Sequence, residues 1–270
     1  MVPCLSQVCT LGSDFESDVV HFSAAGFTAM ELWMTKLEDF LRTHSLDDAR
    51  ALIESHGLHV PVASMQGGLL VSELAAYEAS WDLYCRRLER LSGLGCSTIV
   101  LAADIPHPLV AGTTGPILER LVAAANSAEE YGIRIALEFQ ARSALINNLK
   151  TAAAIVAQVG HSHLGICLDA FQFEVGPSKE VDLALLTLDN VFHFQISDLT
   201  DRPRELAGDG DRILPGDGQS ELGPIVQRLR EIKYGGPVSL EVMNPHFTRT
   251  PADQFAQIAQ QSLERIMSPC

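Results

Sequence analysis

Leu164-Gly165-Ile166-Cys167-Leu168-Asp169 and Val191-Phe192-His193-Phe194-Gln195-Ile196-Ser197-Asp198 decide how this chain folds. Side chains along a strand alternate between its two faces. In the first stretch Leu164, Ile166 and Leu168 share one parity, and Gly165, Cys167 and Asp169 the other. In the second, Phe192, Phe194 and Ile196 oppose His193 and Gln195. The pattern repeats on either side: Ile133, Ile135, Leu137 and Phe139 oppose Ala136 and Glu138, while Val238, Leu240 and Val242 oppose Ser239 and Glu241. The large apolar face suits packing under helices. The opposite face is small and ends in a polar residue each time: Glu138, Asp169, Gln195, Glu241.

Outward from these stretches, β-rich runs alternate with longer amphipathic ones. Strands are expected at Cys4–Cys9, Ala29–Met34, His59–Gln66, Ser97–Ala103, Arg134–Gln140, Leu164–Ala170, Val191–Asp198 and Val238–Asn244. Helices are expected near 14–25, 45–56, 73–94, 115–131, 146–159, 180–188, 220–233 and 251–267. Pro116 and Pro224 suit first helical turns. Gly26, Gly57, Gly132 and Gly160 follow helix ends, where a left-handed residue is common. With 270 residues, the chain matches the roughly 250 of a (β/α)8 barrel. We expect a single (β/α)8 TIM barrel spanning residues 1–270, with the four polar tips gathered at its C-terminal mouth. Cys9-Thr10-Leu11-Gly12-Ser13 holds one glycine, too few for a dinucleotide-binding turn.

The formal net charge is −15, from 19 Lys and Arg against 34 Asp and Glu. Nucleic-acid binding needs a basic face to displace counterions, so neither nucleic acid nor an anionic membrane is an expected partner. No apolar run approaches the ~18 residues of a membrane span, and Met1 to Thr10 lacks the basic flank of a signal peptide. A cytoplasmic location follows as an expectation. The six cysteines, at 4, 9, 85, 96, 167 and 270, show no metal-ligand spacing and read as free thiols.

Buried carboxylates are costly unless paired or bound to a cation. Three acids and one amide, with no Lys or Arg interleaved on these strand tips, make a poor salt-bridge network. They suit a hard oxygen-seeking cation.

The stretches Leu137-Glu138-Phe139, Gly165 to Phe171, Phe192 to Asp198, Asp211-Arg212-Ile213-Leu214-Pro215-Gly216-Asp217-Gly218 and Ser239 to Asn244 resemble the xylose-isomerase-like barrels, the sugar phosphate isomerase/epimerase and AP-endonuclease-2 superfamily. The resemblance implies one divalent metal ion held by Glu138, Asp169, Gln195 and Glu241, with Mn2+ or Mg2+ ahead of Zn2+ or Co2+. Gln195 stands where many members have His, and a neutral amide oxygen is a weaker ligand. Gln172 stands where the family often has a His after Asp-x-x. It can bond a hydroxyl but not act as a general acid. Arg212, in the seventh βα loop, is expected to reach a substrate oxygen. Glu31, Trp33, Gln66, His193, Asp198 and His246 are further candidates for the pocket wall or its support, each with an ordinary structural alternative. No His ends the third or fourth strand, which argues against a multi-zinc endonuclease.

The implied reaction is isomerisation or epimerisation of a small polyhydroxy carbonyl compound through an enediolate, with Glu138 and Glu241 exchanging the proton. A dehydratase of a keto-cyclitol or keto-sugar, resembling 3-dehydroshikimate or inosose dehydratases, is the alternative. A non-catalytic ligand-binding barrel is the third reading. Barrels of this family often pair, so a homo-oligomer is also expected.

Overall fold

The alternating runs form a closed barrel of eight parallel strands in a computed structural model that describes residues 1–268 apart from Ser72 and Val110. Cys270 thus lies outside the described residues. The barrel strands are β1 (Val2–Ser6), β2 (Ala29–Trp33), β3 (His59–Gln66), β4 (Thr98–Ala102), β5 (Arg134–Glu138), β6 (Leu164–Asp169), β7 (Val191–Ile196) and β8 (Pro237–Leu240). Each pairs with the next in sequence, and β8 closes on β1. This is the expected (β/α)8 architecture.

Helices α1 (Phe15–Ala24), α2 (Met34–Phe40), α3 (Leu46–Ser55), α4 (Leu74–Gly93), α5 (Thr114–Glu130), α6 (Leu149–Val159), α7 (Ala170–Val175), α8 (Leu222–Glu231) and α9 (Ala252–Met267) surround it. Local chemistry sets their ends. Asp14 caps α1 through the Ser17 N–H at 2.8 Å, and Ser45 and Asp48 form a capping box on α3. Gly160, at φ 64°, ends α6 in the left-handed region that glycine adopts without strain. None of the described helices is long and apolar enough to cross a membrane.

The differences from expectation lie at the strand tips. The β1 strand stops at Ser6, and Gln7–Thr10 turn into a 3-10 helix. Helices α2 and α7 grow directly from β2 and β6, where loops were expected. Asp169 starts α7 by accepting the Phe171 N–H at 2.8 Å. The stretch near 180–188 forms a 3-10 helix over Glu180–Leu185. The expected tail of the last strand, 241–244, lies beyond β8, although the Glu241 N–H still donates to the Ile196 carbonyl at 3.0 Å.

The parity reading places the outward apolar residues of β5 to β8 in the large core beneath the helices, with one exception. Phe192 turns inward and joins Val62, Val100, Ala136 and Cys167 in a separate apolar plug inside the barrel. The register between β6 and β7 shifts between Ile166 and Cys167, which leaves Phe192 unpaired. Such a bulge re-aims a side chain. Gly165 makes room for the ring: a Cβ at that position would stand 2.6 Å from it. The plug seals the barrel below the polar tips. Gly165→Ala should therefore overpack the interior and lower unfolding free energy by about 1–3 kcal/mol, read by urea denaturation. Adding Phe192→Leu should recover part of that loss.

Candidate active site

The strands deliver their inward polar residues to one place because the register steps forward around the tilted barrel. Glu138 lies beside Cys167, Asp169 beside Gln195, and Gln195 beside Ser239, two residues before Glu241. Glu31, on β2, closes the ring from the far side. The Gln195 side-chain nitrogen donates to Glu31 Oε1 at 2.8 Å and to Glu241 Oε1 at 3.1 Å. His193 Nε2 lies 3.0 Å from Glu31 Oε2. The Cys167 thiol donates to Gln195 Oε1 at 3.1 Å.

Arg212 enters from the seventh loop. It is 1% exposed and clamps Asp169 with two bonds, Nη2 to Oδ2 at 2.7 Å and Nη1 to Oδ1 at 3.2 Å. Its Nη1 is also 3.3 Å from Glu241 Oε2, and its guanidinium stacks 4.2 Å from the Phe171 ring centre. The loop that carries it is built by Asp198. That carboxylate accepts N–H bonds from Leu199, Gly216, Gly218 and Ser220 at 2.8, 3.0, 3.0 and 2.9 Å. A short antiparallel ribbon of Asp198–Leu199 with Arg212–Ile213 completes the hold.

The mouth is strongly anionic. Burial, then the Asp169 and Glu241 charges, hold the Glu138 carboxyl well above its ordinary range. Burial also raises Glu241, although the Arg212 charge opposes it. Glu31 differs: burial is the largest single influence and works against its charge, but His193, Ser239 and Ser64 together lower the carboxyl overall. For Arg212 the burial penalty is exceeded by Asp169 and Glu241, so it stays charged. Burial, reinforced by Glu138, pushes the Cys167 thiol up and keeps it an S–H donor.

Glu138, Asp169, Gln195, Glu241, Glu31, His193 and Arg212 are thus all buried around the mouth, and hydrogen bonds or ion pairs link all of them but Glu138. Other candidates are placed elsewhere. Gln66 follows a register shift in β3 and turns under the helices, where it accepts from Arg87 of α4 at 3.2 Å. The Gln172 carbonyl is committed to the Ala141 N–H at 2.8 Å. Asp198 touches backbone, not Arg212's side chain. Trp33 is half-buried and lines a separate cleft of about 580 Å3 with Phe15, Lys36 and Phe40. His246 is exposed, its N–H on Asn244 Oδ1 at 2.9 Å. The sequence reading overlooked Cys167 and Phe171 as partners within the site. Cys167 shares the inward parity of Asp169, so that signal was present.

The carboxylates of the mouth are of the donor type that a divalent cation takes. The Glu138 carboxylate, 4% exposed, has no hydrogen bond or ion pair among the described residues. The Arg212 guanidinium pairs with Asp169 and Glu241, and carboxylate oxygens are hard donors. Among the described residues no three His, Cys, Asp or Glu are grouped so as to hold a metal ion, and Arg212 pairs with both Asp169 and Glu241. The amide of Gln195 presents its nitrogen to the Glu31 and Glu241 carboxylates.

The chain matches the family model described as xylose isomerase-like TIM barrel over residues 21–267. An inosose isomerase of Halalkalibacterium halodurans is 24% identical over 272 residues, covering 98% of this chain and 96% of that protein. A 3-dehydroshikimate dehydratase of Pseudomonas putida is 24% identical over 183 residues, covering 66% of this chain and 28% of that protein. A solved structure of an IolI protein with a bound zinc atom superposes with a TM-score of 0.94 at 24% identity, covering 99% of this chain and 98% of the other.

Two outcomes follow from the geometry. Asp198→Ala should strand four backbone N–H groups, cost at least about 2 kcal/mol and open residues 200–220 to limited proteolysis. In metal-stripped protein, the raised Glu138 and Glu241 make the unfolded chain release protons first. Their contribution to stability is full below their ordinary value of 4.5 and lost as pH rises through the raised values. The Tm should fall across that window, and Mn2+ or Mg2+ should flatten the fall.

Proposed function

Because the chain belongs to the xylose isomerase-like TIM barrel family, we propose that it is a divalent-metal-dependent isomerase or epimerase of a small polyhydroxy carbonyl compound. The observation that carries this reading is the desolvated Glu138 carboxylate, which has no hydrogen bond or ion pair among the described residues and feels the Asp169 and Glu241 charges in a mouth that Arg212 enters. Glu138, Asp169 and Glu241 are the residues that would hold the cation. A cation held there would supply Lewis-acid stabilisation of negative charge developing on the substrate. The zinc of the IolI structure keeps Zn2+ among the metals to assay.

The side chains divide the remaining work. Glu138, which no donor among the described residues restrains, takes the proton from the carbon next to the carbonyl. Glu241, three strands further round the barrel, returns a proton; Arg212 and Gln195 fix its orientation. Burial raises both carboxyls towards neutrality, where a group can serve as base and acid. Arg212 reaches substrate through charge: its guanidinium opposes negative charge developing beside Asp169. Phe171 shields one face of that guanidinium from water.

The relation to an inosose isomerase over nearly the whole chain favours a keto-cyclitol as substrate. Loss of a β-hydroxyl from the same enediolate would make the protein a dehydratase, a reading favoured by the dehydratase relative. Against it, Gln172 provides no acid to protonate a leaving hydroxyl, and its carbonyl is tied to Ala141.

The test is a panel of inososes and keto-sugars in D2O with Mn2+ or Mg2+. Isomerisation or epimerisation should bring solvent deuterium onto a substrate carbon without loss of water. Product with new ultraviolet absorption would instead identify the dehydratase. Glu241→Gln should lower turnover by at least about 100-fold in a folded barrel, and chelation should abolish turnover reversibly. Full activity in either case would overturn the proposal.

A further inference from the structure

The tips of β1 and β2 frame a second recess. Residues 11–16 and 33–44 line a cleft of about 580 Å3, within the roughly 300–1,000 Å3 of small-molecule sites. It lies at the same end of the barrel as the mouth, because both segments follow the C-terminal ends of their strands. Trp33 adjoins the two: it stands two residues after Glu31 on the inward side of β2, opposite Ser64.

The walls are held before any ligand arrives. Lys36 is 8% exposed, and its ammonium donates to Asp18 Oδ2 at 2.5 Å and to the Thr10 carbonyl at 2.6 Å. Gln7 donates to the same Asp18 oxygen and accepts the Trp33 N–H, each at 3.1 Å. Phe40 packs on Phe15 with ring centres 4.9 Å apart and stacks on His44 at 4.2 Å. Walls fixed in this way need no ordering when a ligand binds.

The lining sorts ligands by charge. The Lys36 charge is matched by Asp18. Asp14 and Glu16 have no salt bridge among the described residues, and Asp39 pairs with the exposed Arg42 at 3.0 Å, a weak surface contact. The rim therefore disfavours anions. It does not suit a metal ion either, since no three His, Cys, Asp or Glu among the described residues are grouped to hold one. A quaternary ammonium needs several ring faces around it. Here Phe15 is 1% exposed and Phe40 is occupied by its two neighbours, which leaves Trp33. One half-buried indole instead offers apolar surface to the C–H face of a single ring. Around it the carboxylates accept hydroxyl hydrogens, and the Ser13, Thr35 and Thr43 hydroxyls can donate or accept.

We infer that this cleft binds an uncharged polyhydroxy ring against Trp33 and turns away phosphate esters of the same ring. The inference goes beyond the reaction proposed for the mouth and does not depend on a cation there.

The test is a fluorescence titration of metal-stripped full-length protein, in EDTA, with glucose, myo-inositol and glucose 6-phosphate. Wild-type emission should change saturably with glucose or myo-inositol. Trp33→Phe, which keeps Trp81 as its one indole, should show no change. Glucose 6-phosphate should bind roughly tenfold more weakly than glucose. Glu16→Ala combined with Asp39→Ala, both exposed positions, should weaken binding of the neutral ring about tenfold. Glu138→Gln in the mouth should leave that binding unchanged. No saturable response to either neutral ring overturns the inference, as does glucose 6-phosphate binding as tightly as glucose. Unaltered affinity in the double variant, loss of binding in Glu138→Gln, or saturation by choline in place of the neutral rings does the same. If Trp33→Phe does not fold, saturation-transfer NMR of the sugar with wild type and the double variant decides.

Discussion

Arg212 and Asp169 form the contact on which the mouth of this barrel depends. Both side chains are buried, and the guanidinium meets the carboxylate through two parallel bonds. Removing either partner of such a pair leaves an uncompensated buried charge, which is far costlier than the pair itself is favourable. The pair also joins pieces of chain that the barrel alone would not bring together. Asp169 ends β6 and starts α7, whereas Arg212 arrives on the seventh loop. Asp198, at the end of β7, folds that loop through its backbone bonds and so sets where the guanidinium arrives. The site is thus assembled by a chain of carboxylates acting in sequence, only some of which face the mouth.

A second line of order runs from the other side. Glu31 on β2 reaches across the interior to His193 and Gln195 on β7. The two lines meet at Glu241, which takes one donor from each. Glu138 belongs to neither. That asymmetry gives two glutamates of similar burial different characters: one held by two donors, one with no donor among the described residues. Charge alone would not separate them, since burial raises both.

Much of this was legible in the sequence because strand parity is a strict rule. Leu164, Ile166 and Leu168 had to face one way, which forced Asp169 the other. Carried through β5 to β8, that rule named three acids of the mouth, Glu138, Asp169 and Glu241. It failed at Phe192, which adjoins a register shift, because a bulge resets the parity beyond it; Gln66, a strand-end candidate, likewise follows a shift and turns away from the mouth. The role of Asp198 was hidden differently. A carboxylate that binds backbone N–H groups leaves no partner residue to find in the sequence. The Pro-Gly-Asp-Gly turn hinted at tight loop geometry, and Gly218 fits because a Cβ there would press 2.5 Å from Asp198 Oδ1. Helix α2 was missed because β2 runs into it without a break, and no Gly or Pro marks the step.

The barrel carries its chemistry and its stability at different heights. Below the polar ring, Val62, Val100, Ala136, Cys167 and Phe192 fill the interior with apolar volume. Above it lie carboxylates whose burial opposes folding. Gly165 links the two levels: by yielding its own volume to Phe192 it thickens the plug on the strand that ends in Asp169. Cys167, two residues further along the same strand, belongs to both levels, packing downward with the plug while its thiol meets Gln195. A larger apolar residue there would improve the plug but leave the amide oxygen of Gln195 without its donor. A more polar one would satisfy the amide but wet the plug. A small, weakly polar thiol answers both demands, which is a physical reason for a cysteine at that place.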